Sequence, residues 1–301
     1  EFGDRKLVTR SSALIEDDGD HSMAGAFTSC LDVNGALREQ IEAAVTEKTK
    51  AILSVDLYGG VSDYEGLRQI AEEYGLKIIE DAAEAFGSEF EGRKAGTLGD
   101  VAAFSFHGSK TMSTGEGGML VTDDDDLHAR VMHLRDHGRE PGDVLFRNTE
   151  VAFKYKMPSV SAAIGLGQVE RAEELVARKR EIFNWYYEAF SEADGIQLNH
   201  EPCNTRNSYW MVTAILEPKL EWPKEKLMGA LDREGIDSRP MFYPLSSLSA
   251  YDGVSQAAEA RDRNEVSYRI TPWGINLPSA LCLEESQVQR VADAFLQILS
   301  A

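Results

Sequence analysis

A mostly parallel α/β fold is the class this sequence predicts, on three observations. From residue 50 to 81 the chain reads strand, helix, strand, and a βαβ unit implies a parallel pair joined by a right-handed crossover. Two more short apolar runs, VAAFSF (101–106) and GMLVT (118–122), follow as strands. At 301 residues and 43% hydrophobic, the chain has apolar mass for one large or two ordinary domains.

Each element has its own signal. KAILSVDLYGG (50–60) is β-rich and closed by two glycines, which marks a buried strand. In DYEGLRQIAEEYG (63–75), Leu67, Ile70, Ala71 and Tyr74 recur at helical spacing; Ser62 or Asp63 caps the start and Gly75 the end. LKIIED (76–81) is the second buried strand. DDDDLHARVMHLRDHG (123–138) reads as a helix with acids at its positive end and Arg and His later. The long periodic stretch 159–190 predicts helix that bridges into a second domain. There SYWMVTAIL (208–216) is a strand, KEKLMGALDREG (224–235) a helix, and EESQVQRVADAFLQIL (284–299) a closing amphipathic helix. The expected division is a large domain over 27–175 and a smaller C-terminal α+β domain over 176–301. Residues 1–26 show no clear period and read as an atypical tail.

Composition narrows the function. Lys plus Arg number 31 against 51 Asp plus Glu, a net charge of −20. Such a chain repels phosphate backbones and anionic lipid, so neither nucleic acid nor a membrane surface is the expected partner. Cys30, Cys203 and Cys282 lie far apart with no CxxC pair, which argues against a zinc site or a disulfide framework. No apolar run approaches membrane-spanning length and no apolar signal core opens the chain. The expected location is the cytoplasm.

The chemistry gathers where open α/β sheets bind ligands, at the carboxyl ends of strands. Asp81 closes LKIIED, Ser105 lies in VAAFSF, and Lys110 follows in a glycine-containing loop. Alone, each has a bland reading: a cap for the following AAEAF segment, a satisfied strand hydroxyl, a solvated loop lysine. Together they read differently. An enclosed lysine loses its proton more readily and becomes a nucleophile toward an aldehyde. An aspartate keeps a pyridine nitrogen protonated, and a hydroxyl with loop amides takes a phosphate. Carboxylate, hydroxyl and amine in that order along the chain are what pyridoxal phosphate (PLP) requires of a protein. The stretch FSFHGSKTMSTGEGG (104–118) offers Lys110 no carboxylate before Glu116, which favours an aldehyde partner. His107 is a candidate for orienting substrate. There is no GxGxxG after a strand, no P-loop, no GxSxG and no HExxH, and the scattered histidines predict no metal site.

Five segments carry a resemblance: IIEDAAEAFGS (78–88), GTLGDVAAFSFHGSKTMSTGEGGMLVTDD (96–124), LRDHGR (134–139), FKYKMPSVSAAIGLGQVER (153–171) and WGINLPSA (273–280). They resemble the DegT/StrS-type nucleotide-sugar aminotransferases, most of all their perosamine-synthase branch, from about Phe27 to the C-terminus. The resemblance implies a fold-type I PLP-dependent transferase: a sheet sandwiched by helices, a small C-terminal domain, and a homodimer with shared active sites. It implies transamination of a nucleotide-linked 4-keto-6-deoxyhexose with L-glutamate as donor, for cell-surface polysaccharide or related glycosides. It further implies that Lys110 forms the covalent link to PLP and Asp81 pairs with the ring nitrogen. Glu84, where many members carry glutamine, would lie near the ring, and Ser105 would meet the phosphate. Lys154 stands where relatives bring an asparagine to the neighbouring subunit's phosphate. Tyr243 and Arg239 in RPMFYPL are the sugar-side candidates. Two departures stand out. Ser246 and Ser247 occupy the place of a family histidine. Residues 1–26 lack the Gly-Thr turn and ring-stacking aromatic of the relatives' N-terminal part, which reads as missing. An inactive or truncated relative with a binding role therefore stays open as an alternative. The family's PLP-dependent 3-dehydratases are a lesser one, because histidine replaces the lysine there.

Overall fold

The computed structural model describes residues 35–300; the atypical segment 1–26 and Cys30 lie outside the described residues. A first helix, α1 (Gly35–Ala44), is tied by Arg38 to Glu73 at 2.8 Å on α2 (Tyr64–Tyr74). Between them runs β1 (Ala51–Val55). After α2 come β2 (Lys77–Asp81), β3 (Val101–Ser105) and β4 (Gly118–Val121). These strands form one sheet in the order β1-β2-β3-β4, with the first two ladders parallel and the last antiparallel. The predicted βαβ unit is therefore present, and the sheet is mostly parallel.

Local chemistry explains the boundaries of α2. The Asp63 carboxylate accepts from the Gly66 amide at 3.1 Å, while Gly75 ends the helix in the left-handed region at φ 64°. Ser62 has another role, since its hydroxyl accepts from Ser54 at 2.7 Å. The buried face of α2 (Tyr64, Leu67 and Ala71) packs with Ile78, Phe90 and Leu98. Glu80 on β2 is fully buried and accepts amides of Gly96, Leu98 and Gly99. A buried carboxylate held by three backbone donors pins the loop that leads into β3.

Of two expected helices, one ends earlier than its periodicity suggests and the other is interrupted. α3 (Asp125–Leu134) starts on an Asp124 cap, whose side chain accepts from Leu127 N, but stops four residues before Gly138. Backbone pairing takes over there: Tyr155 N donates to Arg135 O and His137 N to Phe153 O, both at 2.8 Å. The long stretch 159–190 is two helices, α4 (Ser159–Val169) and α5 (Ala172–Ala189). Arg171 leaves the helical region at φ −112°, ψ 16°. Just before the break, Gln168 exchanges hydrogen bonds with the backbone of Ser113, bracing the loop that carries Lys110.

The C-terminal half is built on an antiparallel sheet. Its strands are β5 (Ile196–Leu198), β6 (Val212–Leu216), β7 (Arg239–Pro240) and β8 (Gly274–Leu277), ordered β7-β8-β6-β5. Against it lie α5, α6 (Lys224–Arg233) and α7 (Glu285–Leu299), whose start carries a Glu284/Gln287 capping box. Ile182, Tyr186, Leu227, Leu231, Ile275 and Phe295 are fully buried in one core, each side chain contributing about 1.5–3 kcal/mol on leaving water. Two short helices, Ser255–Arg263 and Glu265–Ile270, had no counterpart in the sequence pattern. Among the described residues no helix is long and apolar enough to cross a membrane, and no three His, Cys, Asp or Glu side chains are grouped to hold a metal ion.

Lys179 on α5 is buried, with its amine donating to Ser279 O at 2.6 Å. Burial disfavours its charged form and lowers its pKa to about 8. Between about pH 8 and 10.5 the unfolded chain holds a proton that the folded chain has lost, so stability should rise with pH across that window. Urea unfolding at stepped pH should show a rise on the order of 3 kcal/mol from this group, and Lys179→Met should flatten it.

Candidate active site

The parallel register sets the three strand ends side by side. Val55 pairs with Asp81 and Asp81 with Ala103, two residues before Ser105. Beyond the strands, Asp56 N donates to Asp81 O and Ala82 N to Ala103 O, both at 3.0 Å. Asp81 thus closes the strand between two neighbours, and its Oδ1 accepts from Ala83 N at 3.1 Å. This bond is the cap expected of the bland reading, and it also fixes the carboxylate's direction at the sheet edge.

The chain after β3 folds into a tight loop. Phe106 N donates to Gly117 O, Thr114 N to Phe106 O and Lys110 N to His107 O, each at 2.9 Å. The Lys110 side chain turns inward and is only 13% exposed. Its Nζ lies 3.5 Å from Glu84 Oε1 and 3.7 Å from the centroid of the Trp210 ring. The amine is enclosed between a carboxylate and an indole face. The carboxylate absent from the loop sequence comes from 26 residues upstream.

Glu84 is itself buried, at 4% side-chain exposure, and its second oxygen accepts from Tyr58 N at 3.0 Å. Trp210 is held by its indole N–H, which donates to Ser109 O at 2.8 Å. Tyr58, which holds Glu84 only through its backbone amide, and Trp210, which covers the amine, were not expected from the sequence. The available signal was LYGG, a tyrosine and two glycines at the carboxyl end of β1, where ligands bind in such sheets. For Trp210 the sequence offered only a strand start, since its partner Ser109 is 101 residues away.

The other expected site residues are placed variously. Ser105 Oγ accepts from His107 N at 3.4 Å. His107 is exposed; its Nδ1 accepts from Ser109 N at 3.2 Å and lies 2.9 Å from Ser109 Oγ, so it organises the loop. Lys154 is 59% exposed and shares Asp136 with Lys156, at 3.2 and 3.1 Å. These two lysines hold the Asp136 carboxyl below its usual range. Arg239 is exposed and bonds Asp237 at 3.1 Å. Tyr243 donates to Glu225 at 2.9 Å and covers Lys224 Nζ, 3.3 Å from its ring centroid. Lys110 and Glu84 meet directly, beside the strand ends that carry Asp81 and Ser105. Lys154, Arg239 and Tyr243 make these polar contacts elsewhere.

The donor set fits PLP. An enclosed amine suits an aldehyde, a strand-end carboxylate held by an amide suits a ring nitrogen, and the adjacent strand-end hydroxyl suits a phosphate.

Known proteins resemble this chain in sequence and fold. Residues 28–296 match the DegT/DnrJ/EryC1/StrS aminotransferase family. The chain is 37% identical over 261 residues to a GDP-perosamine synthase of Caulobacter vibrioides, spanning 86% of this chain and 69% of that protein. It is 35% identical over 303 residues to a GDP-perosamine synthase of Vibrio cholerae, spanning 94% and 80%. The fold superposes with a TM-score of 0.79 on Spr1654 of Streptococcus pneumoniae in its PLP form, at 25% identity, covering 87% of this chain and 71% of that one. The architecture is that of the fold-type I PLP-dependent transferases.

Glu84→Ala strands the buried Tyr58 amide and removes a carboxylate from Lys110. Urea unfolding should show a loss of about 1–3 kcal/mol, and Glu84→Gln, which keeps an acceptor for Tyr58 N, should lose less.

Proposed function

Because the chain belongs to the DegT/DnrJ/EryC1/StrS family of PLP-dependent aminotransferases, we propose that it transfers the amino group of L-glutamate to C4 of a nucleotide-linked 4-keto-6-deoxyhexose. The likeness to two GDP-perosamine synthases supports the sugar class. The single observation that carries the reading is the enclosed Lys110 amine, set against Glu84 beside the strand ends of Asp81 and Ser105.

In this reading Lys110 anchors the cofactor's aldehyde, Asp81 its ring nitrogen and Ser105 its phosphate, with Lys154 of a second copy adding a point charge there. PLP, when bound, supplies the electron-poor ring that carries the amino group from one substrate to the other. In the first half-reaction, once the donor's amine has displaced Lys110 from the aldehyde, the freed Nζ would take the proton from the donor's α-carbon, and water would release 2-oxoglutarate with the amino group left on the cofactor. In the second, Nζ delivers a proton to C4 of the sugar. Asp81 keeps the ring nitrogen protonated throughout. Glu84 orients the amine, and the Trp210 ring excludes water from one side of it. His107, Arg239 and Tyr243 are the substrate-side candidates. Residues 27–175 would form the cofactor domain and 176–301 the small domain, in a cytoplasmic enzyme.

A second copy of the chain completes the proposal. Val144, Leu145, Phe146, Val151, Val160 and Leu166 are exposed apolar side chains in the segment that also holds Lys154, and such a patch favours a protein partner. Light scattering after gel filtration should give a homodimer.

Borohydride treatment of the PLP-loaded protein, followed by peptide mass mapping, should place the reduced adduct on Lys110. Lys110→Ala should abolish turnover, and Asp81→Asn should slow it by a factor on the order of 10²–10⁴. A modified lysine elsewhere, or normal turnover by Lys110→Ala, would overturn the assignment. An amino sugar as product supports transamination, and a 3-deoxy sugar supports the dehydratase instead.

A further inference from the structure

Tyr58 adopts a backbone conformation that residues with side chains rarely take, at φ 55°. It is followed by Gly59 at φ 89°, where an added Cβ would lie 2.5 Å from Asn207 Oδ1. Strain of this kind persists only where the surroundings over-determine it. Here the contacts of one residue do so. The Tyr58 amide donates to Glu84 Oε2 at 3.0 Å, and the other oxygen of that carboxylate lies 3.5 Å from Lys110 Nζ. Its ring stacks with Phe242 at 5.1 Å and with Trp210 at 6.2 Å between centroids. Its hydroxyl accepts from Phe242 N at 2.8 Å. Burial pushes the phenol's pKa up to about 12, so the hydroxyl stays neutral at physiological pH.

The hydroxyl contact joins chain segments 184 residues apart. One bears the amide that holds the carboxylate facing the amine, and the other opens the loop that follows β7. Phe242 begins that loop and is 41% exposed, while its neighbour Tyr243 turns to Lys224 and Glu225 on α6. The loop is therefore fixed on one side by the small domain's helix and on the other by Tyr58.

We propose that Tyr58 is a positioning residue whose hydroxyl clamps the loop beginning at Phe242, so that the keto-sugar bound against this loop is held in register with Lys110. The substrate clause rests on the aminotransferase reading above; the clamp does not. A tyrosine serving only as core packing would alter stability, with no selective effect on one of two substrates.

Tyr58→Phe tests this, since it keeps the ring, the stacking and the Glu84 bond and removes only the hydroxyl. In the PLP-loaded variant, hydrogen exchange in a peptide covering residues 242–248 should be about tenfold faster than in the parent. The glutamate half-reaction and the cofactor's absorbance band should stay unchanged. The KM for the nucleotide-linked keto-sugar should rise by about tenfold, with kcat changed far less. Unchanged exchange in a variant whose circular dichroism matches the parent would overturn the clamp. So would an equal slowing of both half-reactions, which would place the hydroxyl's effect on Lys110 itself. Faster loop exchange in a protein whose parent form shows no glutamate half-reaction would support the clamp and sink the aminotransferase reading instead.

Discussion

The contact between Glu84 and Lys110 is the interaction on which the site depends. A buried carboxylate is costly unless both oxygens are satisfied. Here Oε1 faces the lysine amine and Oε2 takes the Tyr58 amide. The carboxylate therefore ties together the turn after β2, the loop after β3 and the turn after β1. Moving any one of these segments would leave a buried polar group without its partner, and that penalty gives the amine its fixed place.

The ladder beneath supplies the geometry. Two parallel pairings bring the carboxyl ends of β1, β2 and β3 to one edge, so Asp81 and Ser105 come to adjacent strand ends. Glu80, on the same strand as Asp81, pins the loop entering β3 from below the edge. Successive side chains of β2 point to opposite faces, so Glu80 holds the loop while Asp81 lies at the strand end and takes the Ala83 amide. The same division appears after β7, where Phe242 turns to Tyr58 and Tyr243 to α6.

The C-terminal half meets this edge through aromatic rings. Trp210, one residue after the Tyr209 that stacks on Phe183 at 3.6 Å, reaches across to the Lys110 loop. Phe242 reaches Tyr58 in the same way. Apolar rings suit that boundary because they bury large area while their N–H and O–H groups satisfy backbone partners. The enclosed environment of the amine is thus shared between the two halves of the chain.

Much of this was legible in the residues alone. The βαβ unit, the Asp63 and Gly75 caps and the closing helix follow from local periodicity and capping chemistry, which act over a few residues. Lys110, Asp81 and Ser105 stood out because strand ends and a glycine-containing loop are local signals too. The break at Arg171 was hidden because the apolar period runs on through it. Glu84 as the partner of Lys110, Trp210 as its cover and Tyr58 as the bridge to Phe242 could not be read, for these contacts span 26 to 184 residues. Local sequence determined which elements form and which residue types lie at their ends; packing between distant segments decided which of those residues meet, because burial and hydrogen-bond satisfaction are settled only once the whole chain has closed around them.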